Sequence, residues 1–360
     1  MANSGSFDSP RASAARVRLA RMIAAGRVDG VLDAELREIA KAEGVLPLLE
    51  WMSGRLSAIR SHAAVQLARR ARLSRVLDLL AREGVSAVVI KGAHLAHTCY
   101  PDPALRPHVD IDLLIDPRTV EAARRVFDAS GHRLIPHVTG RFVMSQFHYA
   151  DSSAGMPGLH AYDVHWQLAN PAAFRDSLPF DTVRLHSVPI EAFGPHGRGP
   201  SLPHALVIAC IHRAAHHGAS DRLIWLNDLR LLLQAATTAQ IDAFCQIADA
   251  TGLNAVCHDA CARTAQLFRD VQVPVLLAVR AAESAEPSRA YLEAPSPLKQ
   301  MWLDLRALTG WGDRAALVRE HLFPPAAFMR GTAQSRAPLP WAYAARIARG
   351  FVTYVRSARL

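Results

Sequence analysis

Lys91-Gly92 and Asp110-x-Asp112 are the residues whose types and spacing could do chemistry together in this chain. Val88-Val89-Ile90 leads into Lys91-Gly92-Ala93, and His108-Val109 leads into Asp110-Ile111-Asp112-Leu113-Leu114-Ile115. The pattern reads as strand, tight turn, helix and second strand. Side chains two apart on a strand share a face, so Asp110 and Asp112 stand side by side. Val109, Ile111, Leu113 and Ile115 are expected to point the other way, into a core. Adjacent carboxylates repel unless a cation sits between them or one stays protonated. A divalent metal resolves this, and hard oxygen ligands suit Mg²⁺. A glycine-opened helix N-terminus just upstream offers backbone N–H groups to a phosphate. Two carboxylates on a half-exposed strand, paired to arginines, are the bland alternative.

A third carboxylate would complete a two-metal site, which stabilises the attacking and leaving oxygens of an in-line phosphoryl displacement. Tyr162-Asp163-Val164-His165-Trp166 supplies a candidate, with Asp163 and His165 on one strand face. The two could also form a buried pair that satisfies only itself. His165 could orient a metal ligand or contact phosphate. Lys91 ends an apolar strand, where a charge is costly unless paired. It either contacts a triphosphate or pairs with a nearby acid. Arg106, in the loop before Asp110, could also reach phosphate. His212 and His216 lie four apart on one helix, but Arg213 stands where a zinc-protease pattern needs Glu, so packing or polar contact is the expectation. Asp228, on the next helix, could partner one of them or cap the site. Cys257-His258-Asp259-Ala260-Cys261 lacks a second cysteine pair and is not read as zinc-binding.

The elements that must position these groups follow from periodicity. Residues 1–14 are small and polar, and are expected to be disordered. Residues 15–84 read as helices, with a long amphipathic run from Leu56 to Ala81 that Gly84 ends. Strands are expected at Ser86–Ile90, Val109–Ile115, Gly131–Ile135, Phe142–Ala150 and Leu159–Leu168, the last two joined by a turn at 152–158. Helices are expected at Ala93–Tyr100 and from Pro117 to Ser130. From Pro203 the pattern is helical again, at His204–His217, Leu223–Ala236, Ile241–Thr251, Asn254–Phe268 and Val275–Ser284. It continues over 299–330, with a break at Gly310-Trp311-Gly312. The tail, 331–360, carries five arginines and no acid, interleaved with Trp341, Tyr343, Ile347, Phe351, Tyr354 and Val355. It reads as a helix that covers the core or touches a polyanion or membrane surface. The fold class is therefore α+β: a small mixed sheet in a core at 85–200, between an N-terminal helical region at 15–84 and a C-terminal helical domain at 201–330, followed by the tail.

Bulk properties bound the function. The 360 residues include 50% hydrophobic and 20% charged residues, enough for a large core. Net charge is +9, and 38 of the 41 basic residues are Arg, so Lys91 stands out. A compact ammonium is chemically unlike a guanidinium. Positive charge suits anionic partners, though it is spread over the chain. No apolar run approaches the roughly 18 residues of a membrane span, and the first thirty residues lack a signal-peptide pattern. Five scattered cysteines are read as reduced thiols in a cytoplasmic protein.

In order along the chain, Lys91-Gly92, Tyr100, Arg106, Asp110-Ile111-Asp112-Leu113-Leu114 and Asp163-Val164-His165-Trp166 resemble the uncharacterised nucleotidyltransferase family of the DNA polymerase β-like superfold. So do Cys210-Ile211-His212-Arg213-Ala214-Ala215-His216, Leu223-Ile224-Trp225-Leu226-Asn227-Asp228-Leu229 and Leu322-Phe323-Pro324-Pro325. The resemblance spans about residues 35–355. It implies a minimal nucleotidyltransferase fold, with Gly92 as turn glycine, Asp110 and Asp112 as paired acids and Asp163 as the third. Ala93 departs from the Ser or Gly of the wider superfold, and the stretch from Gly92 to Asp110 is longer than usual there. The implied function is Mg²⁺- or Mn²⁺-dependent transfer of a nucleotidyl group from an NTP to an unidentified acceptor, with release of pyrophosphate. The metal ligands would be Asp110, Asp112 and Asp163. The nucleotide-contacting set would be Lys91, Gly92, Arg106 and His165, with His212, His216 and Asp228 near the cleft. The alternative is a catalytically weak nucleotide- or partner-binding protein on the same fold.

Overall fold

The computed structural model describes residues 10–151, 161–217, 221–293, 297–332 and 338–357. The N-terminal helices are α1 (Pro10–Ala25), α2 (Ala34–Ala42), α3 (Leu46–Met52) and α4 (Leu56–Arg82). A central region follows: β1 (Ala87–Ile90), α5 (Lys91–Thr98), β2 (Asp110–Ile115), α6 (Val120–Ala129), β3 (His132–Ile135), β4 (Gln146–Asp151) and β5 (Ala161–His165). Short helices α7 (Ala172–Arg175) and α8 (Phe180–Leu185) and the ribbon β6 (Val188–Pro189) and β7 (Arg198–Gly199) lead out of it. The C-terminal half comprises α9 (Leu202–His217), α10 (Leu223–Ala235), α11 (Thr238–Ala250), α12 (Asn254–Leu267), α13 (Val275–Glu283), α14 (Arg289–Leu292), α15 (Pro297–Ala307), α16 (Trp311–Leu322), α17 (Ala326–Thr332) and α18 (Leu339–Ser357). The α+β class expected from the sequence is the one observed.

The five-stranded sheet has the order β1-β2-β5-β4-β3. Only the β2–β5 pair is parallel; the others are antiparallel. Alternation along each strand sorts the side chains onto two faces. Val89, Ile111, Leu113, Ile115, Phe147, Tyr149, Tyr162 and Val164 pack on one face, against Leu73, Val76, Leu77 and Leu80 of α4 and Val126 and Phe127 of α6. Val88, Ile90 and Leu114 face the other way, into a core shared with both helical regions. There Leu19, Ile23 and Leu49 from the N-terminal helices join Leu206, Leu229 and Phe244 from the C-terminal ones. The helices before and after the sheet thus bury one continuous apolar surface.

Several expected details are corrected. The first helix begins at Pro10, so residues 10–14 are helical rather than disordered; residues 1–9 lie outside the described residues. Val109 is 74% exposed and precedes the strand instead of entering its core face. The strand expected from Phe142 starts only at Gln146. Glu320 of α16 accepts hydrogen bonds from the backbone N–H groups of Arg141 (3.0 Å), Phe142 (2.8 Å) and Val143 (3.1 Å), which removes them from any ladder. That clamp also ties the C-terminal helices to the sheet. Asp304 ties α15 to α7 and α14, accepting from the Ala172 N–H and the Tyr291 hydroxyl at 2.6 Å each. Trp311 and Gly312 belong to α16, and only Gly310 lies outside it. The turn expected at 152–158 lies outside the described residues.

Candidate active site

The polar side chains on the open face of the sheet gather where β2, β5 and β4 run side by side. Asp112 is directly across from Asp163 in the parallel pair, and Asp163 is across from His148 in the antiparallel one. His165 is likewise across from Gln146. Two-residue alternation puts Asp110 and Asp112 of β2, Asp163 and His165 of β5, and Gln146 and His148 of β4 on the same face. Ligand-capable atoms of Asp112, Asp163 and His165 lie within 4.8 Å of one another, the one such group among the described residues. Asp110 is outside that group but close enough for its charge to matter.

Electrostatics distinguishes the two strand-mates. Burial, then the negative charges of Asp112 and Asp163, push the Asp110 carboxyl up to about 6. Burial alone would raise Asp112 too, but Lys91 and His165 outweigh it and hold that carboxyl well below the usual range. The Lys91 ammonium donates to Asp112 Oδ1 at 2.7 Å and lies 3.3 Å from His165 Nε2. His165 Nε2 is itself 2.9 Å from the same Oδ1. Burial and the neighbouring ammonium depress the His165 imidazole; the ionised Asp112 can only accept, which assigns the proton of this contact to Nε2. Asp163 is held from the other side, by His148 Nδ1 at 2.5 Å and by Gln146 Nε2, which donates at 3.2 Å.

Lys91 owes its position to an unusual backbone. Its φ of 53° is the one positive value for a non-glycine among the described residues. Such a conformation costs an L-residue roughly 1–2 kcal/mol. It turns the chain from β1 directly into α5, whose first turn has no side-chain cap. Gly92 therefore serves space and not backbone freedom. A Cβ there would meet Arg106 Nη1 at 2.7 Å and His108 Cβ at 3.0 Å. The uncapped N–H groups of this turn suit an anion.

Arg106 and Asp228 are brought together, but with each other. Arg106 Nη2 donates to Asp228 Oδ2 at 2.6 Å, and Tyr100 donates to Oδ1 at 2.8 Å. Asn227 donates to the Tyr100 hydroxyl at 3.0 Å. Burial opposes the Arg106 charge, but Asp228 raises its pKa overall. This buried network joins the loop ahead of β2 to α10. His212 also lines the cleft, with its ring edge-on to Trp225 at 5.6 Å. The His216 side chain lies outside the described residues.

The cleft over this face has a volume of about 520 Å³ and is bounded by Lys91, Gly92, Arg106, Asp110, Asp112 and Asp163 below and by Lys41, Arg222 and Trp225 above. Arg222 stacks over Trp225 at 5.6 Å. A larger groove of about 980 Å³ lies between α4 and α6, on the opposite face, and Glu83 is its one lining acid. Size does not decide between them; only the smaller cleft unites grouped carboxylates, ammonium and helix N-terminus.

Gln146, His148, Lys41 and Arg222 were not singled out by sequence reasoning. The alternation Gln146-Phe147-His148-Tyr149 carried the signal for the first two, since aromatic residues inward place Gln and His outward. No local signal placed Lys41 or Arg222, which arrive from distant helices.

Comparison with protein families matches residues 14–269 to a model described as uncharacterised nucleotidyltransferase. No curated protein matches the chain.

Proposed function

Because the chain belongs to the uncharacterised nucleotidyltransferase family, we propose that it transfers a nucleotidyl group from an NTP to an acceptor nucleophile in the cleft above β2 and β5. The observation that carries this reading is the register of Asp112 against Asp163, with Asp110 on the same face and Lys91 within hydrogen-bond distance of Asp112. In the reaction a bond forms between the acceptor oxygen and the α-phosphorus, the bond to the β-phosphate oxygen breaks, and pyrophosphate leaves.

The carboxylates of Asp112 and Asp163, with Asp110 beside them, fit a hard divalent cation, Mg²⁺ or Mn²⁺, and His165 would orient Asp112. Such a cation would supply charge neutralisation on the phosphoryl oxygens. The remaining work falls to the chain. His148 and Gln146 fix the Asp163 carboxylate in one orientation. Asp163 stands ready to accept the proton of the acceptor hydroxyl. Lys91 and the first-turn N–H groups of α5 grip the triphosphate, and Lys41 and Arg222 add positive charge across the cleft. Trp225 offers an aromatic surface to the base. Arg106 and Asp228 act as positioning residues that hold α10 over the sheet.

One observation favours a second reading, a nucleotide- or partner-binding protein with weak catalysis: Lys91 already occupies a cation position against Asp112. The two readings separate in a transfer assay. Protein, α-phosphate-labelled NTP, Mn²⁺ and a fractionated small-molecule and macromolecular extract should give a labelled product, and Asp163→Asn should give none. Label transfer by Asp163→Asn at the wild-type rate would refute the assignment of the third acid.

A further inference from the structure

The C-terminal helices carry a surface that the proposed reaction does not use. Among residues 298–349 whose side chains are described, seven are basic and three acidic, a net +4. They lie wholly outside the residues matched to the family, 14–269. Three of the six tryptophans are here, and all three are exposed: Trp302 at 52%, Trp311 at 81% and Trp341 at 72%. Arg306 lies over the Trp302 ring at 4.6 Å, and Arg314 over Trp311 at 5.1 Å.

The last helix shows the same pairing of apolar and cationic groups. α18 turns Ala342, Tyr343 and Arg346 inward. The Tyr343 hydroxyl donates to the Pro324 carbonyl at 2.8 Å, and its ring meets Phe323 edge-on at 5.6 Å. Trp341, Ala344, Ala345 and Ala348 follow at helical spacing on the outer side, all exposed, with Ile347 and Arg349 beside them. A contiguous exposed apolar face rimmed by charge is the kind of surface that marks an interaction site.

We propose that this C-terminal surface docks the protein on an anionic phospholipid bilayer, with Trp341 and Trp311 entering the headgroup boundary and the arginines meeting lipid phosphates. Tryptophan at the interface and arginine on its rim are the chemistry of helices that lie in the membrane plane. No helix among the described residues is long and apolar enough to cross the membrane, so docking is peripheral. A second copy of the chain is disfavoured as the occupant, because a two-fold contact would set this net positive surface against itself. Nucleic acid would engage the arginines but leave the Trp341–Ala348 face uncovered.

The full-length protein would be sedimented with vesicles of phosphatidylcholine alone and with vesicles containing phosphatidylglycerol as a third of the lipid. Binding to the second kind only, a blue shift of tryptophan emission, and release at high salt are expected. Trp311→Ala/Trp341→Ala should weaken vesicle binding by about ten-fold or more, and Arg349→Ala by about five-fold, the effect of one basic residue near an anionic surface. Both positions of the double variant are exposed, so its thermal midpoint should match the wild type. Failure to bind, equal binding to neutral vesicles, or undiminished binding by the double variant would overturn the proposal. So would self-association without vesicle binding, or tighter binding to single-stranded RNA that the double variant retains.

Discussion

Lys91→Ala tests the electrostatic logic of the site. In the fold the Lys91 ammonium is 2.7 Å from Asp112 Oδ1, in a setting where both side chains are nearly buried. Removing it leaves Asp112 facing Asp110 and Asp163 with no cation among them. Breaking one side of a buried ion pair costs roughly 3–5 kcal/mol. The lower end applies, because His165 still bonds Asp112 at 2.9 Å; we expect a loss of about 3 kcal/mol. Alanine keeps the left-handed backbone cost, so no relief offsets it. The metal-free variant should therefore melt several degrees below the wild type. Mn²⁺ should then stabilise the variant more than the wild type, since no ammonium competes for Asp112. Metal at a hundred times its Kd would restore roughly 2.7 kcal/mol. NTP affinity should move in the opposite direction, because the variant lacks its phosphate contact. Differential scanning fluorimetry of both proteins, with and without Mn²⁺ and then with NTP, measures all three quantities. Equal melting of the two metal-free proteins, or a larger Mn²⁺ shift in the wild type, would refute the reasoning.

Gly92→Ala should destabilise by roughly 1–3 kcal/mol through overpacking against Arg106 and His108, and an unchanged urea midpoint would show that the contact yields freely. Asp228→Ala should cost roughly 3–5 kcal/mol by stranding the buried Arg106 charge; the double variant Arg106→Met/Asp228→Leu should recover part of it, and a double variant worse than the single would contradict this. Burial depresses His94 to about 4 and, with the Arg69 and Arg106 charges, His108 to about 3. Their folded values lie below the unfolded value near 6.5, so the unfolded chain binds more protons in that window. Stability is therefore full above about pH 6.5 and falls on acidification toward pH 4, by at most about 1.4 kcal/mol per pH unit for each histidine. Denaturant midpoints that stay flat between those limits would exclude the effect.

Much of the sheet was legible because two-residue alternation is a local signal. Ile111, Leu113 and Ile115 entered the core as their spacing demanded, and Asp110 and Asp112 faced the cleft together. Val109 has the same side-chain chemistry but precedes the first ladder residue, and the Arg69 guanidinium takes its carbonyl at 3.3 Å. Gly92 is the turn glycine that the resemblance implies, yet the positive φ falls on Lys91. Glycine marks places where only a small side chain fits as well as places where only glycine's backbone fits, and the sequence does not separate the two. The Glu320 clamp reaches Arg141 and Phe142 across nearly half the chain, so no local pattern could reveal that it delays β4. Lys41 and Arg222 meet over the carboxylates for the same reason, being placed by helix packing and not by periodicity.

The most direct test of the central claim is NTP binding by the intact protein. Each of the four NTPs would be titrated calorimetrically with Mg²⁺ or Mn²⁺ into wild type and Asp112→Asn. Metal-dependent binding of at least one NTP by the wild type, lost in Asp112→Asn while that variant stays folded, is the predicted result. Absence of binding by the wild type with either metal, or equal binding by the variant, would contradict the assignment of this cleft to nucleotidyl transfer.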